Sequence, residues 1–379
     1  MDPAKRANSA FLMCAFQVIV HKTPAEEAWK PFSKITPPLL AFRDASNTKE
    51  CTYPCTILDC LRGLEYAMKL KWFDFATFDA VKYDYYSRLD VGDINWIIPG
   101  KLLAFSGPLD VNRDAKGNWR KTPEDYIPIF HRLKVGTVIR LNDKVYNEEK
   151  FKAKGINHKD IIFQDGSCPN QEIIRKFLTT CEQEPKALAI HCKAGLGRTG
   201  TLIGCYAMKH YKFPAADFIG WIRLCRPGSV LGPQQQFLID IEPSFHSLSQ
   251  SSDIYKSLSK EIKSFIANRR EEEQRAIRGV LSENEKRMAM YGDSSQGNDL
   301  LEAKKTKDRL TQSFKEFDRG SFLTAFDKTM PLSSYRATLY EEDIPEEVER
   351  TVNRIFLSKH ECASRGTLSK SYSTLKIRY

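Results

Sequence analysis

The sequence predicts an α/β fold, a parallel-rich central sheet flanked by helices. Three observations carry the prediction. Residues 187–190 form an apolar run suited to a buried strand, residues 201–210 read as the opening of a helix, and the glycine-rich stretch HCKAGLGRTG lies between them at 191–200. Upstream, a short apolar strand at 161–163 and a helical pattern over roughly 170–183 provide another strand and its return helix. The length of 379 residues accommodates two domains by the usual prior of about 150 residues each, with ample chain for a core.

From the N-terminus, residues 10–20 are a nearly unbroken apolar run following Lys5 and Arg6. The run superficially resembles a signal peptide. It is shorter than the roughly 20 residues a membrane span requires, and no small-x-small cleavage site follows it, so a buried helix is expected. Cys51, Cys55 and Cys60 cluster without a nearby His, which reads as packing rather than a zinc site. Residues 74–93 carry Asp74, Asp79, Asp84, Asp90 and Asp93 against Lys82 and Arg88, a net charge of minus three in a chain of net charge +10. Residues 81–98 therefore read as an acidic interdomain linker.

Past the glycine-rich loop, Cys205 and Cys225 fall on expected helices and are assigned to the core. Leu258, Ile262, Phe265 and Ile266, then Ile277, Val280 and Leu281, recur at near-helical spacing between Lys260 and Arg287. A long, weakly amphipathic helix is expected there, although the apolar-poor stretch 268–274 argues against a coiled coil. Residues 293–298 read as a break. Over 354–379 six basic residues face only Glu361 among serines and threonines, the composition of a disordered tail for docking, localisation or phosphorylation. The expected organisation is thus 1–80, a linker at 81–98, a main domain at 99–245 and a largely nonglobular tail at 246–379.

The chemistry lies in the glycine-rich loop. At a helix N-terminus the first-turn N–H groups lack intrahelical partners and carry partial positive charge, which suits a dianionic phosphate. Gly195 and Gly197 permit a backbone tight enough for the amides of Lys193, Ala194, Gly195, Leu196, Gly197 and Arg198 to converge on one anion. The Arg198 guanidinium adds a planar fork for two phosphate oxygens. The same positive field favours a thiolate at Cys192, the nucleophilic form. Together these features describe the phosphate-binding loop of a cysteine-dependent phosphatase; no Gly-Lys-Ser or Gly-Lys-Thr follows, so a nucleotide-binding P-loop is set aside. Expelling an alkoxide or phenoxide also requires a proton donor, and the best candidate is Asp165 in IIFQDGSCP. On spacing alone, an aspartate that merely starts a turn fits as well.

HCKAGLGRTGTLIGCYAMKHY, followed by RPGSVLGPQQQFL at 226–238, resembles the cell-division-cycle-fourteen family of dual-specificity protein phosphatases. The similarity extends upstream through FRDA at 42–45, GDINWIIP at 92–99, TVIRLN at 137–142 and FQDGS at 163–167, and covers roughly residues 1–245. The resemblance implies that Asp165 is the general acid, that Thr199 donates a hydrogen bond to the departing sulfur, and that Gln235 orients the hydrolytic water. It also implies an acidic groove, here Glu26, Glu27, Asp84, Asp90 and Asp93, that receives a basic residue downstream of a phosphoserine-proline pair. The family carries two tandem phosphatase-like domains, the first inactive. Against that pattern residues 1–80 match only the second half of the first, an expectation of an N-terminally truncated form. No cofactor or metal is implied, and the implied partners are phosphoproteins made by proline-directed kinases. The resemblance places such an enzyme in cytoplasm and nucleus, at spindle, centrosome or basal body, in mitotic exit, cytokinesis or ciliary events.

Composition bears on the remaining classes. Ten cysteines scattered without paired spacing fit a reducing compartment. The basic excess, 58 Lys and Arg against 48 Asp and Glu, is spread thinly, so direct nucleic-acid binding is not expected. Two other readings stand beside the protein phosphatase. Lys193 gives the loop the Cys-Lys-Ala-Gly start of phosphoinositide phosphatases, although Leu196 replaces the second lysine those enzymes favour. A noncatalytic phosphoprotein-binding scaffold is opposed by the presence of Cys192, Arg198 and Asp165 together.

Overall fold

The computed structural model describes residues 2–46, 53–114 and 117–291. In chain order its elements are helices α1 (Pro3–Val20), α2 (Ala25–Trp29), α3 (Ile57–Lys69) and α4 (Ala80–Ser87), strands β1 (Ile94–Ile98) and β2 (Leu102–Ser106), helix α5 (Pro123–Arg132), and strand β3 (Val135–Arg140). Helix α6 (Glu149–Lys152), strand β4 (Asn157–Asp160), helix α7 (Gln171–Gln183), strand β5 (Ala187–Cys192) and helices α8 (Gly197–Tyr211), α9 (Ala215–Cys225), α10 (Pro233–Leu248), α11 (Asp253–Ser257) and α12 (Lys260–Tyr291) follow. The described residues group into two compact units, one holding the residues up to Tyr206 with Ala215–Ile239, the other holding Ala207–Pro214 with the residues from Asp240.

The first unit contains the sheet, in the order β1-β2-β5-β3-β4. β1 pairs antiparallel with β2, while β2, β5, β3 and β4 run parallel. Parallel strands joined by crossover helices are covered on both faces, and β3 and β5 are accordingly buried at every residue. One side of the sheet packs an aromatic cluster in which Phe105 meets Tyr126 edge-on at 4.9 Å and Phe130 at 5.0 Å between ring centroids. Local signals set the helix starts. Thr122 and Asp125 form a capping box at α5 with Pro123 in the first turn, Asn170 caps α7, and Thr56 with Asp59 boxes the start of α3.

Four boundaries differ from the sequence expectation. The stretch 81–98 is helix α4 followed by β1, an edge strand of the main sheet; its aspartates masked the apolar INWII that forms the strand. Ile161 and Phe163 lie beyond the β4 ladder, their amides donating to the Arg140 and Leu141 carbonyls at 2.9 and 3.2 Å. Helix α8 begins at Gly197, earlier than the helix read at 201, and α10 runs across the 245–246 boundary to Leu248.

Within the same unit, α1 to α3 form the N-terminal half. Residues 10–20 do lie on a helix, and α1 buries Ala7, Ala10, Phe11, Cys14, Ala15 and Val18. Its opposite face exposes Leu12, Met13, Phe16 and Val20. Helix α3 packs against α9 at glycine contacts: a Cβ on Gly63 would lie 2.2 Å from the Asp217 carbonyl oxygen, and one on Gly220 would lie 2.5 Å from that of Asp59. Trp221 anchors the joint by donating its indole N–H to the Ile97 carbonyl at 3.0 Å.

In the second unit, Ser249 Oγ donates to the Met208 carbonyl at 3.3 Å and His210 shares a 2.7 Å hydrogen bond with Ser252. The expected long helix appears as α12. The break at 293–298 and the basic tail at 354–379 lie outside the described residues, as does Cys51. The thiols of Cys55 and Cys60 are buried 3.8 Å apart. Among the described residues no helix is long and apolar enough to cross a membrane.

Candidate active site

β5 occupies the centre of the sheet, and its last residue, Cys192, leads directly into residues 193–196 and then α8. The carboxyl end of such a strand is where open α/β sheets leave a crevice. The loop divides its backbone groups sharply. The Lys193 carbonyl accepts from Gly107 N–H at 3.2 Å, those of Ala194 and Gly195 accept from Arg226 at 2.8 and 2.9 Å, and that of Leu196 accepts from Gly200 and Val230 N–H. Among the described residues, none of the N–H groups from Lys193 to Arg198 meets a protein acceptor. A loop whose carbonyls are all taken by the surrounding protein leaves its amides to a ligand, the arrangement of an anion nest. Gly195 makes the turn with φ +67°, and a Cβ there would lie 2.1 Å from the Phe105 carbonyl oxygen, so no other side chain fits.

Arg226 holds the loop from behind. Besides the two loop carbonyls, its guanidinium donates to Asn95 Oδ1 at 2.7 Å and to both carboxylate oxygens of Asp93 at 2.9 and 2.6 Å. Burial nevertheless raises the Asp93 carboxyl above its ordinary range, against the pull of Arg226. His191 is fully buried, its Nδ1–H donating to the Cys192 carbonyl at 2.9 Å. Its Nε2 meets the Tyr146 hydroxyl at 2.7 Å, which in turn meets His158 Nε2 at 2.7 Å. Since a carbonyl only accepts, His191 carries its proton on Nδ1, Tyr146 donates to His191 and His158 donates to Tyr146. Burial pushes His191 down to about 3 and His158 to about 4, so both rings are neutral at physiological pH. His191 thus orients the loop without adding positive charge to it.

Arg198 is 4% exposed and is fixed by donation from Nη1 to the carbonyls of Phe163 (2.8 Å) and Leu141 (3.2 Å). Its Nη2 lies 3.0 Å from Asp165 Oδ1, and the Asp165 side chain is 72% exposed on its turn. The structure therefore brings Cys192, Arg198 and Asp165 to one place. Two further donors are buried there without any protein partner, Arg198 Nε and Thr199 Oγ1. Buried donors left unsatisfied are costly, and a cluster of them marks a place where an acceptor binds.

The glutamine nearest the loop is Gln234, not Gln235. Gln234 Nε2 donates to the Ser167 carbonyl at 2.9 Å, two residues past Asp165, and its Oε1 lies 2.8 Å from where a Gly197 Cβ would stand. Gln235, as buried as Gln234, turns the other way; its amide donates to Asp44 Oδ2 at 2.9 Å while its Oε1 accepts from Arg223. Consecutive helical residues point about 100° apart, so only one of the pair can face the loop. The groove carboxylates are likewise partly committed elsewhere. Asp93 belongs to the Arg226 clamp, Glu26 pairs with Arg62 at 2.9 Å and Asp90 pairs with Arg88, whereas Glu27 and Asp84 are exposed.

Residues 1–67 match the family described as "Dual specificity protein phosphatase, N-terminal half", and residues 117–243 match "Dual specificity phosphatase, catalytic domain". The dual specificity protein phosphatase CDC14A of Mus musculus is 50% identical over 257 residues, 68% of this chain and 42% of that protein. The tyrosine-protein phosphatase cdc-14 of Caenorhabditis elegans is 44% identical over 259 residues (68% and 36%). The CDC14 homolog of Schizosaccharomyces pombe is 37% identical over 243 (62% and 45%). The chain belongs to the CDC14 family. It spans less than half the length of these CDC14 relatives.

Several residues around the CDC14-type loop were not singled out by sequence reasoning. Arg226 precedes the Pro-Gly of RPGSV, and an arginine invested in a turn is indistinguishable in sequence from a surface one. Tyr146 and His158 lie 45 and 33 residues before His191, a separation carrying no periodic signal. Asp44 sits inside FRDA, where only the resemblance marked it.

Proposed function

We propose that the protein is a cysteine-dependent dual-specificity protein phosphatase acting on phosphoserine, phosphothreonine and phosphotyrosine. The observation that carries this reading is the surplus of donors around Cys192: the free amides from Lys193 to Arg198, together with Arg198 Nε. Cys192 attacks phosphorus in line, the P–O bond to the leaving group breaks, and Asp165 supplies the proton to the departing oxygen. The amides and Arg198 stabilise the three equatorial oxygens. A bound phosphate competes with Asp165 for Arg198, which releases the carboxyl to serve the leaving group. Asp165 then takes a proton from water as the water oxygen attacks phosphorus, the P–S bond breaks and the thiolate returns.

The preferred substrate class is phosphoserine followed by proline with a basic residue downstream, the product of proline-directed kinases. Exposed Glu27 and Asp84 support the electrostatic element of that reading, since neither forms an ion pair among the described residues. The test is turnover of matched phosphopeptides beside soluble phosphoinositides, by wild type and Cys192→Ser. Turnover of the peptides, lost with Cys192→Ser while phosphopeptide binding persists, is the expected result. Phosphoinositide turnover above that of every peptide would overturn the substrate class, and an active serine variant would overturn the mechanism.

A further inference from the structure

Residues 42–46 strap the N-terminal half to the 228–235 turn, which borders the phosphate loop. Ala45 N–H donates to the Gly228 carbonyl at 3.1 Å, and Asp44 Oδ2 accepts from Gly232 N–H at 2.8 Å and from Gln235 Nε2 at 2.9 Å. Arg223 closes the other side, donating to the carbonyls of Phe42, Ser229 and Val230 and to Gln235 Oε1. The turn gripped in this way is strained at Val230, with φ +63°, and passes through Gly232 at φ +53°, a conformation open to glycine. Gln234 follows the turn directly and lies between Gly197 of the loop and Ser167 of the Asp165 turn. Acceptance by Asp44 from both Gly232 and Gln235 fixes the residues on either side of the Pro233–Gln234 step. The carboxyl group is held below its ordinary range: burial acts to raise it and is outweighed by hydrogen bonds from Ser46 and Gly232 and by the charge of Arg223.

We propose that Asp44 is a positioning residue for the second chemical step, hydrolysis of the phosphorylated thiol, acting through Gln234. The inference rests on the phosphocysteine reading above. In that step water adds to phosphorus, its proton passes to Asp165 and the P–S bond breaks, so the attacking oxygen must be held in line with Cys192 without help from a leaving group already gone. Gln234 Oε1, beside Gly197, accepts from Leu231 N–H at 3.3 Å and Nε2 donates to the Ser167 carbonyl, so the second Oε1 lone pair and the second amide N–H are the groups left to hold it. The N-terminal half then contributes to catalysis without touching substrate phosphate.

The two steps separate kinetically. With 4-nitrophenyl phosphate, kcat/KM reports formation of the phosphocysteine, whereas kcat reports its hydrolysis when that step is slow. In the full chain, Asp44→Ala is expected to lower kcat at least about tenfold, the scale of one lost water-positioning contact, while kcat/KM stays within about twofold. A pre-steady-state burst of 4-nitrophenol should appear, with covalent phosphate held on Cys192 at steady state. Gln234→Ala should behave alike, and the double variant should be no slower than Gln234→Ala alone, because the two residues act in series. Asp44→Asn, which retains one acceptor oxygen, should recover most of kcat; Gln235→Met, which deletes the amide that donates to Asp44, should repeat the kcat-only loss and decides the matter if the alanine variant does not fold. Parallel loss of kcat and kcat/KM without phosphocysteine in the Asp44 variants, while Gln234→Ala accumulates it, would overturn the role of Asp44 alone. Absence of phosphocysteine from every variant would overturn the mechanism on which the inference rests.

Discussion

Strand β5 and helix α1 belong to the same compact unit and are covered in opposite ways. Every residue of β5 is buried between neighbouring strands and the helices on each face. Helix α1 buries one stripe and leaves Met13 61% and Phe16 51% exposed on the other. The sheet-bearing half closes its own core. The N-terminal half does not; its α3 rests on α9, and its strap rests on the 226–235 turn. Dependence of this kind ties the N-terminal half to the site while leaving the phosphate loop built from the sheet, and each half can be perturbed separately.

The largest effect is expected at the clamp behind the loop. Arg226→Ala would leave the half-buried Asp93 without its partner and release the carbonyls of Ala194 and Gly195. Removing one member of such a pair costs about 3–5 kcal/mol. Denaturant unfolding should show that loss, and turnover should fall with it; Arg226→Lys, which keeps charge but not the fork, should recover only part. Retention of full activity and stability by the alanine variant would mean that the loop is not held from this side.

A somewhat smaller effect is expected where the two halves meet. Gly63→Val forces side-chain atoms into the Asp217 carbonyl and should cost about 3 kcal/mol. Hydrogen exchange should then show α1 and α3 losing protection while β5 retains it. Equal loss in both would show that the halves unfold as one and would erase the distinction between them.

The smallest effect per residue is a pH dependence centred on the sheet side of the comparison. His191 and His158 titrate near 3 and 4 in the folded protein, below the ordinary value of about 6.5 for an unfolded histidine. Below pH 6.5 the unfolded chain therefore binds more protons. Their stabilisation is fully present above pH 6.5 and is lost progressively as pH falls toward 4 and 3, about 2 kcal/mol per histidine by pH 5. His246, at about 4, acts with the same sign in the second unit. Unfolding midpoints at pH 7 and pH 5 should differ accordingly, and His158→Asn should reduce the difference. A midpoint unchanged between the two would contradict the neutral, buried assignment.

Legibility in the sequence followed the range of each interaction. The strand-loop-helix around Cys192 was readable because apolar periodicity, glycine spacing and helix capping are all local. The apolar character of β1 was obscured by the aspartates around it, although its antiparallel partner β2 follows within a few residues. Cys192, Arg198 and Asp165 do converge, although Asp165 owed its assignment to the family resemblance rather than to spacing. The glutamine was misplaced by one residue, since three identical side chains in succession give no register until Asp44 and Arg223, 191 and 12 residues away from Gln235, take up one of them. Arg226 stayed hidden for the same reason: its acceptors are backbone carbonyls, which leave no mark on composition.

The central claim is that the sheet half presents the amides from Lys193 to Arg198 as an anion site, with Asp165 released when an anion binds there. It is tested most directly by backbone amide spectra of the full chain titrated with tungstate, an unreactive phosphate mimic. The expected result is large shifts at the amides from Lys193 to Arg198, with a change at Asp165 as its Arg198 contact breaks, and none along α1. Saturable binding that leaves the 193–198 amides unmoved would contradict the account.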